Sequence, residues 1–510
     1  MRQRAPSRPR RTPPAAHEAA FQRALTCVRE GRIPDAMHEL TALLERAPTH
    51  GPARNVLGVL RMETGDAEGA LSLLAPLARE TPQAAAVQVN YGNALVAANR
   101  APEAIDVFAR VVAVEPALAA NWYGFGRALQ LSGRHAECID AYDAVLARDP
   151  SHITARANLS AALNFLDRFR EGEAHARIAV QHAPHDAGAH FNLGVSLLSQ
   201  QRWAEGWREF EWRSRTPLLG TTRPAFTSPD WDGSAIGGGT LVVFAEQGFG
   251  DTLQYARYLP LLRSLGMRVV LVCQRPLVRI LHSSGLANEV VPLGAVIPMH
   301  TAHVSLSSVP HRLRLHTTAD VTVHNAPYLA ASATPASCAA SASASATPAV
   351  AERSSGSRRR VGLVWAGHPG HVNDVHRSCG LESLSSLFDV PDIDWVSLQV
   401  GPRAKDRERL GLVDHLADGS VGVRDFADTA RILGTLDLVI TVDSAVAHLA
   451  GAMGRSAVVL LPRVGLDWRW VGAAESGGAT PWYGSVQCLR QAHAHDWSPV
   501  VSALRSRLSR

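Results

Sequence analysis

The chain has 510 residues, 46% of them hydrophobic, which is too long for one ordinary core and implies two to four folded domains. Its 51 basic and 46 acidic side chains leave a formal charge of only +5, with no broad basic surface for nucleic acid. No stretch approaches the ~20 apolar residues needed to span a bilayer.

The first segment, MRQRAPSRPRRTPP, is rich in arginine and proline and reads, with residues 15–16, as a solvated basic tail. It has no apolar h-region, so it does not read as a secretory signal. The six cysteines (27, 138, 273, 338, 379 and 488) include no C-x-x-C pair. A reducing compartment, the cytoplasm by default, suits that pattern.

Residues 17–216 are dominated by a repeat. Pro48, Pro82, Pro116, Pro150 and Pro184 recur every 34 residues. Gly58, Gly92, Gly126, Ser160 and Gly194 keep the same interval, as do Ala36, Ala70, Ala104, Cys138, Gly172 and Gly206. Small side chains at two points of each unit let paired helices approach closely, and the proline ends the second helix. This pattern resembles the tetratricopeptide repeat over about six units. The first unit has Ala24 in the glycine place, and the last has its proline one place early, at Pro217. Trp203, Trp207, Phe210 and Trp212, at helical spacing, are expected to pack against the next domain.

From residue 217 to 330 the pattern changes to short β-rich runs (LVVFA, RVVLVC, VVPL) alternating with helical stretches, predicting a small parallel-sheet domain. Residues 331–358 are largely Ala, Ser, Pro and Arg and read as a linker. A second alternating series fills 359–510: RRVGLVWAG, DWVSLQV, DLVITV, SAVVLLP and SVQCLR. The fold class is therefore an all-α repeat array followed by two Rossmann-like α/β domains.

Two strand-to-helix turns stand out. One is Glu246-Gln247-Gly248-Phe249-Gly250-Asp251 and the other is Asp443-Ser444, each after an apolar run and before a helical pattern. Open α/β sheets bind ligands at the carboxyl ends of their strands. The free N–H groups of the following helix suit an anion such as a diphosphate.

EQGFGDTLQYARYLP, VGLVWAGHPGHVNDVHRS, DFADTARILGTLDLVITVDSAVAHLAGAMG and DWRW…PWYGS resemble the glycosyltransferase family 9 (heptosyltransferase-like) domain. The likeness is closest to bacterial proteins that place it behind tetratricopeptide repeats, and a more distant one is to O-linked N-acetylglucosamine transferases. The resemblance implies a GT-B fold and inverting, metal-independent transfer from a nucleotide-sugar such as ADP-heptose or a UDP-sugar. It makes Asp251 the base that takes the acceptor hydroxyl's proton. Aspartate is also a preferred residue at helix starts, so capping is compatible with that role. Gly248 and Gly250 are expected to open the turn to substrate.

By the same resemblance Asp443, Ser444 and His448 hold the donor diphosphate, although Ala445 stands where many heptosyltransferases have glycine. Arg377 reaches the phosphates. Gln247, Asn373, Asp374 and Trp468 are candidates for the donor or acceptor pocket, and Asp467, Arg469 and Trp470 are expected, with Trp468, to shape the nucleotide or acceptor end. No metal and no cofactor is expected, the nucleotide-sugar being a substrate. The expected partner is a protein or glycan acceptor held by the repeats. The alternative is an inactive transferase fold serving as a protein-interaction scaffold.

Overall fold

The computed structural model describes residues 14–217, 223–322, 327–331, 358–371, 373–475 and 478–509. Most of the expected basic tail and nearly all of the expected 331–358 linker lie outside the described residues.

Six helical hairpins open the chain. Their first helices are Pro14–Arg29, Gly51–Glu63, Ala85–Ala97, Ala119–Leu131, Ile153–Phe165 and Ala187–Ser199. The second helices are Ile33–Arg46, Ala67–Glu80, Ala101–Val114, His135–Arg148, Phe169–His182 and Trp203–Phe210. All but the last of these end two residues before a repeat proline. The small residues serve as close-contact points: a Cβ on Gly92 would lie 2.7 Å from Phe108, and one on Gly126 2.7 Å from Tyr142.

Among the described residues, ten strands follow in two all-parallel sheets. The first has the order β3-β2-β1-β4, with β1 Thr240–Phe244, β2 Arg268–Cys273, β3 Glu289–Pro292 and β4 Ala302–Ser305. The second has the order β10-β9-β8-β5-β6-β7. Its strands are β5 Arg359–Val364, β6 Ile393–Ser397, β7 Leu416–Asp418, β8 Leu438–Val442, β9 Ala457–Leu461 and β10 Val486–Arg490. Strand order reverses between β1 and β4 and again between β5 and β8. Those switch points are where a doubly wound sheet leaves a crevice for ligand.

The chain divides into two compact units at Leu163/Asn164, not at the expected boundary near residue 216. The physical reason is aromatic burial. Trp203, Trp207 and Phe210 enter one core with Leu241, Val243, Tyr255, Trp468 and Trp482. Trp207 meets Trp468 edge-on at 5.5 Å, and Trp203 meets Trp482 at 5.7 Å. Trp212 instead stacks on His190 at 4.0 Å. Among the described residues no helix is long and apolar enough to cross a membrane.

Candidate functional site

Four segments converge at the carboxyl ends of the switch-point strands. The turn after β1 leads into the helix Phe249–Tyr255, and the turn after β8 leads into Ala445–Ala452. The loop after β5 carries the short helix Asp374–Arg377, and the 3-10 helix Trp468–Trp470 follows β9. The two helices that follow these turns pack directly on each other. A Cβ on Gly250 would lie 2.7 Å from Cδ2 of His448, so glycine here admits the imidazole of the facing helix. This corrects the expectation that Gly250 opens the turn to substrate. Gly248, with φ −85°, is in an ordinary extended conformation, and the left-handed residue of the turn is Gln247, with φ 64°.

Asp251 occupies the first turn of its helix. Its Oδ2 accepts from the Gly248 N–H at 2.9 Å and its Oδ1 accepts from Nη2 of Arg469 at 2.6 Å. About a fifth of its side chain stays exposed (21%). Burial pushes its carboxyl above the usual range against the opposing charge of Arg469. Arg469 is itself 4% exposed, donates from Nη1 to both oxygens of Asp467 and lies 4.5 Å over the Trp468 ring. Its Nε–H is buried without a partner.

At the second turn, burial and the neighbouring charge of Asp467 push Asp443 up to about 6, while Arg377 and Arg469 pull the other way. Asp443 accepts from the Trp470 indole at 2.9 Å. The Ser444 hydroxyl pairs with Thr441 at 2.9 Å and makes no capping bond to the helix it precedes. His448 lies inside that helix, hydrogen-bonded through Nδ1 to Tyr483 Oη at 2.9 Å, and burial holds its pKa down to about 3. It is a neutral core histidine between the two sheets.

Arg377 lies against the backbone after β5, where a Cβ on Gly367 would sit 2.5 Å from its Nη2. Its Nε–H is likewise buried without a hydrogen-bond acceptor and lies 3.8 Å from Oδ1 of Asp374. Asp374 is buried. Its carboxylate accepts from Ser378 at 2.7 Å and from Arg403 at 2.5 Å, which fixes the loop carrying Arg377. Asn373 donates to the Gly465 carbonyl at 2.8 Å, tying that loop to the segment before Asp467. Trp468 belongs to the aromatic core. Asp374 and Trp468 are thus both engaged in structural contacts. Gln247 keeps a buried, unpartnered Nε2.

The structure therefore brings together Asp251, Asp443, Arg377 and two residues of the late block, Asp467 and Arg469. Arg469 is 218 positions from Asp251. The only local signal for it is the Asp-x-Arg spacing in DWRW, which lets one carboxylate cap the turn and hold the guanidinium.

Models of the tetratricopeptide repeat match residues 28–89, 89–153 and 161–206. The N-terminal region is an array of tetratricopeptide repeats. Among curated proteins, Protein FlbA of Caulobacter vibrioides is 24% identical over 333 residues, covering 62% of this chain and 54% of that protein. The match thus spans about half of that relative's length. Solved structures similar to the repeats include MamA (residue 41 to the end) from Desulfovibrio magneticus RS-1, at 18% identity. It covers 33% of this chain and 96% of that one, with a TM-score of 0.31. A thermophilic tetratricopeptide-repeat protein from Thermus thermophilus, TTC0263, is 20% identical, covering 36% of this chain and 99% of that one, with a TM-score of 0.30.

Proposed function

We propose that the chain is a glycosyltransferase of GT-B type that moves a sugar from a nucleotide-sugar to an acceptor recruited by the repeats. The observation that carries this reading is the meeting, at two adjoining switch points, of a raised-pKa carboxylate and two buried, ion-paired arginines whose Nε–H groups lack a hydrogen-bond acceptor. Asp251 ends one wall; Arg377 and Arg469 offer buried Nε–H groups, and both charges act on Asp443 at the other wall. Each Asp251 oxygen already accepts one bond and keeps a further lone pair for an acceptor hydroxyl.

In the reaction, Asp251 takes the hydroxyl proton as the acceptor oxygen bonds to the anomeric carbon. The carbon–oxygen bond to the donor diphosphate breaks, and the leaving group departs with the electron pair. Arg377, Arg469 and the uncapped start of Ala445–Ala452 stabilise that developing charge. This accounts for inversion in a single displacement and assigns charge neutralisation to the protein's own cations. The stacked hairpins offer the kind of groove that holds an extended protein segment, which makes a protein the favoured acceptor.

One observation favours the scaffold alternative: Asp251 is already a helix cap and an ion-pair partner, so structure alone accounts for its presence. A panel of nucleotide-sugars decides between the two. The transferase reading expects thermal stabilisation by one sugar-nucleotide class and slow release of its nucleoside diphosphate. Absence of both across ADP-, GDP-, UDP- and dTDP-sugars sinks it.

A further inference from the structure

The helix that ends the repeats, Glu211–Arg215, sends one side chain into the α/β core. Arg213 is 1% exposed and has a partner for each of its nitrogens. Nε donates to Oε1 of Glu246 at 2.6 Å, and Nη1 to the Phe210 carbonyl at 3.1 Å and to Glu211 at 2.9 Å. Nη2 donates to the hydroxyls of Ser305 at 3.2 Å and Ser308 at 2.7 Å. Ser305 is the last residue of β4, and Glu246 follows β1 by two positions. One guanidinium thus clamps both sides of the first sheet's switch point.

We infer that Arg213 is a positioning residue for the Asp251 turn, acting through Glu246. This rests on the transferase reading above. Between Glu246 and Asp251 the backbone passes through the left-handed Gln247 and then the Gly248 cap, whose N–H holds the Asp251 carboxylate. A shift at Glu246 is therefore carried to the base along this short turn. Stability alone does not account for the clamp. Buried ion pairs are often replaceable by apolar groups at no cost, whereas a planar fork fixes direction as well as distance. The last repeat unit is in this sense part of the transferase site, and not merely its tether.

The test compares Arg213→Met, Arg213→Lys and Arg213→Met/Glu246→Gln in the full chain. Glu211 keeps its contact with Arg312 in all of them. Arg213→Met leaves Glu246 buried and unpaired, so both Tm and turnover fall. The double variant removes that charge and recovers most of the Tm. Its kcat stays at least tenfold below wild type, with the donor KM within about twofold. Hydrogen exchange in the 246–252 peptide rises about tenfold, and Arg213→Lys recovers part of kcat. Should Arg213→Met not fold, Glu246→Ala reads the same contact. Wild-type turnover, or wild-type exchange at 246–252, in a folded variant lacking the contact overturns the inference. If the wild-type chain transfers no sugar at all, the transferase reading falls, and the exchange measurement alone decides the positioning claim.

Discussion

The two strand-to-helix turns share a layout and differ in what occupies their helix ends. After β1, Asp251 lies in the first helical turn and accepts a hydrogen bond from the Gly248 N–H, so the positive helix end already has its anion. After β8, no acidic residue lies in the first turn of Ala445–Ala452, and the Ser444 hydroxyl turns back to Thr441. One end is self-neutralised and carries a carboxylate held by Arg469. The other has no side-chain cap and lies beside Asp443 and two arginines whose Nε–H groups lack a hydrogen-bond acceptor. Equivalent topology thus leaves a held carboxylate on one side and an uncapped helix start on the other, which the proposed transferase would use as base and diphosphate site.

The largest expected effect breaks that contrast at its acidic side. Asp251→Asn keeps the shape and a cap but loses basicity. It should remove at least ~3 kcal/mol of transition-state stabilisation, a hundredfold or more in kcat, with donor affinity unchanged. Arg377→Ala should do the reverse first, weakening nucleotide-sugar binding about tenfold because a charge-assisted contact to phosphate is lost. Single-turnover rates with calorimetric donor titrations separate the two. Near-normal turnover in Asp251→Asn would leave Asp251 as a cap alone.

The repeats were readable because their signal is periodic. Gly58, Gly92 and Gly126 stand in the same place 34 residues apart, and each meets a large side chain of its partner helix. The strands were readable from their apolar runs, and the two turns from the polar residues that end them. What escaped were contacts between distant residues. Nothing near Asp251 points to Arg469, and nothing in the sequence places Arg213 against Glu246. The compact units divide before the repeats end for a related reason. Trp203 and Trp207 keep the repeat's spacing while their rings pack into the α/β core, so periodicity continues past the point where packing changes allegiance. The left-handed residue of the first turn is glutamine and not glycine, which the turn's composition does not reveal.

The two glycines of the first turn offer a smaller test. Gly250→Ala puts a methyl 2.7 Å from the His448 ring, in the seam between the helices of the two sheets. Overpacking of that kind costs about 1–3 kcal/mol, visible as a lower Tm. Gly248→Ala meets only the Asp251 carboxylate, at 3.1 Å, with an ordinary φ, and should cost less. Equal losses at the two positions would contradict a seam that closes at Gly250.

The smallest effect separates the turns by pH. Asp443 has its folded pKa raised to about 6 from an ordinary 3.8, so its contribution to stability is complete below about 3.8 and is lost as pH rises through about 6. His448 is lowered to about 3 from 6.5, so its contribution is complete above about 6.5 and is lost as pH falls through about 3. Between about pH 4 and 6 the folded state therefore holds one proton more at Asp443 and one fewer at His448 than the unfolded chain, and the two slopes oppose each other. Asp443→Asn removes one of them. The variant should lose stability more steeply than wild type on acidification from about pH 6 to about 4, by up to about 1.4 kcal/mol per pH unit. Asp251→Asn should steepen the curve less, because Arg469 holds part of that carboxyl's upward shift in check. Urea titrations at half-unit pH steps measure both slopes. Parallel curves for wild type and Asp443→Asn would show that Asp443 is ionised in the fold throughout that range, and the proposed diphosphate site would then carry a full negative charge of its own.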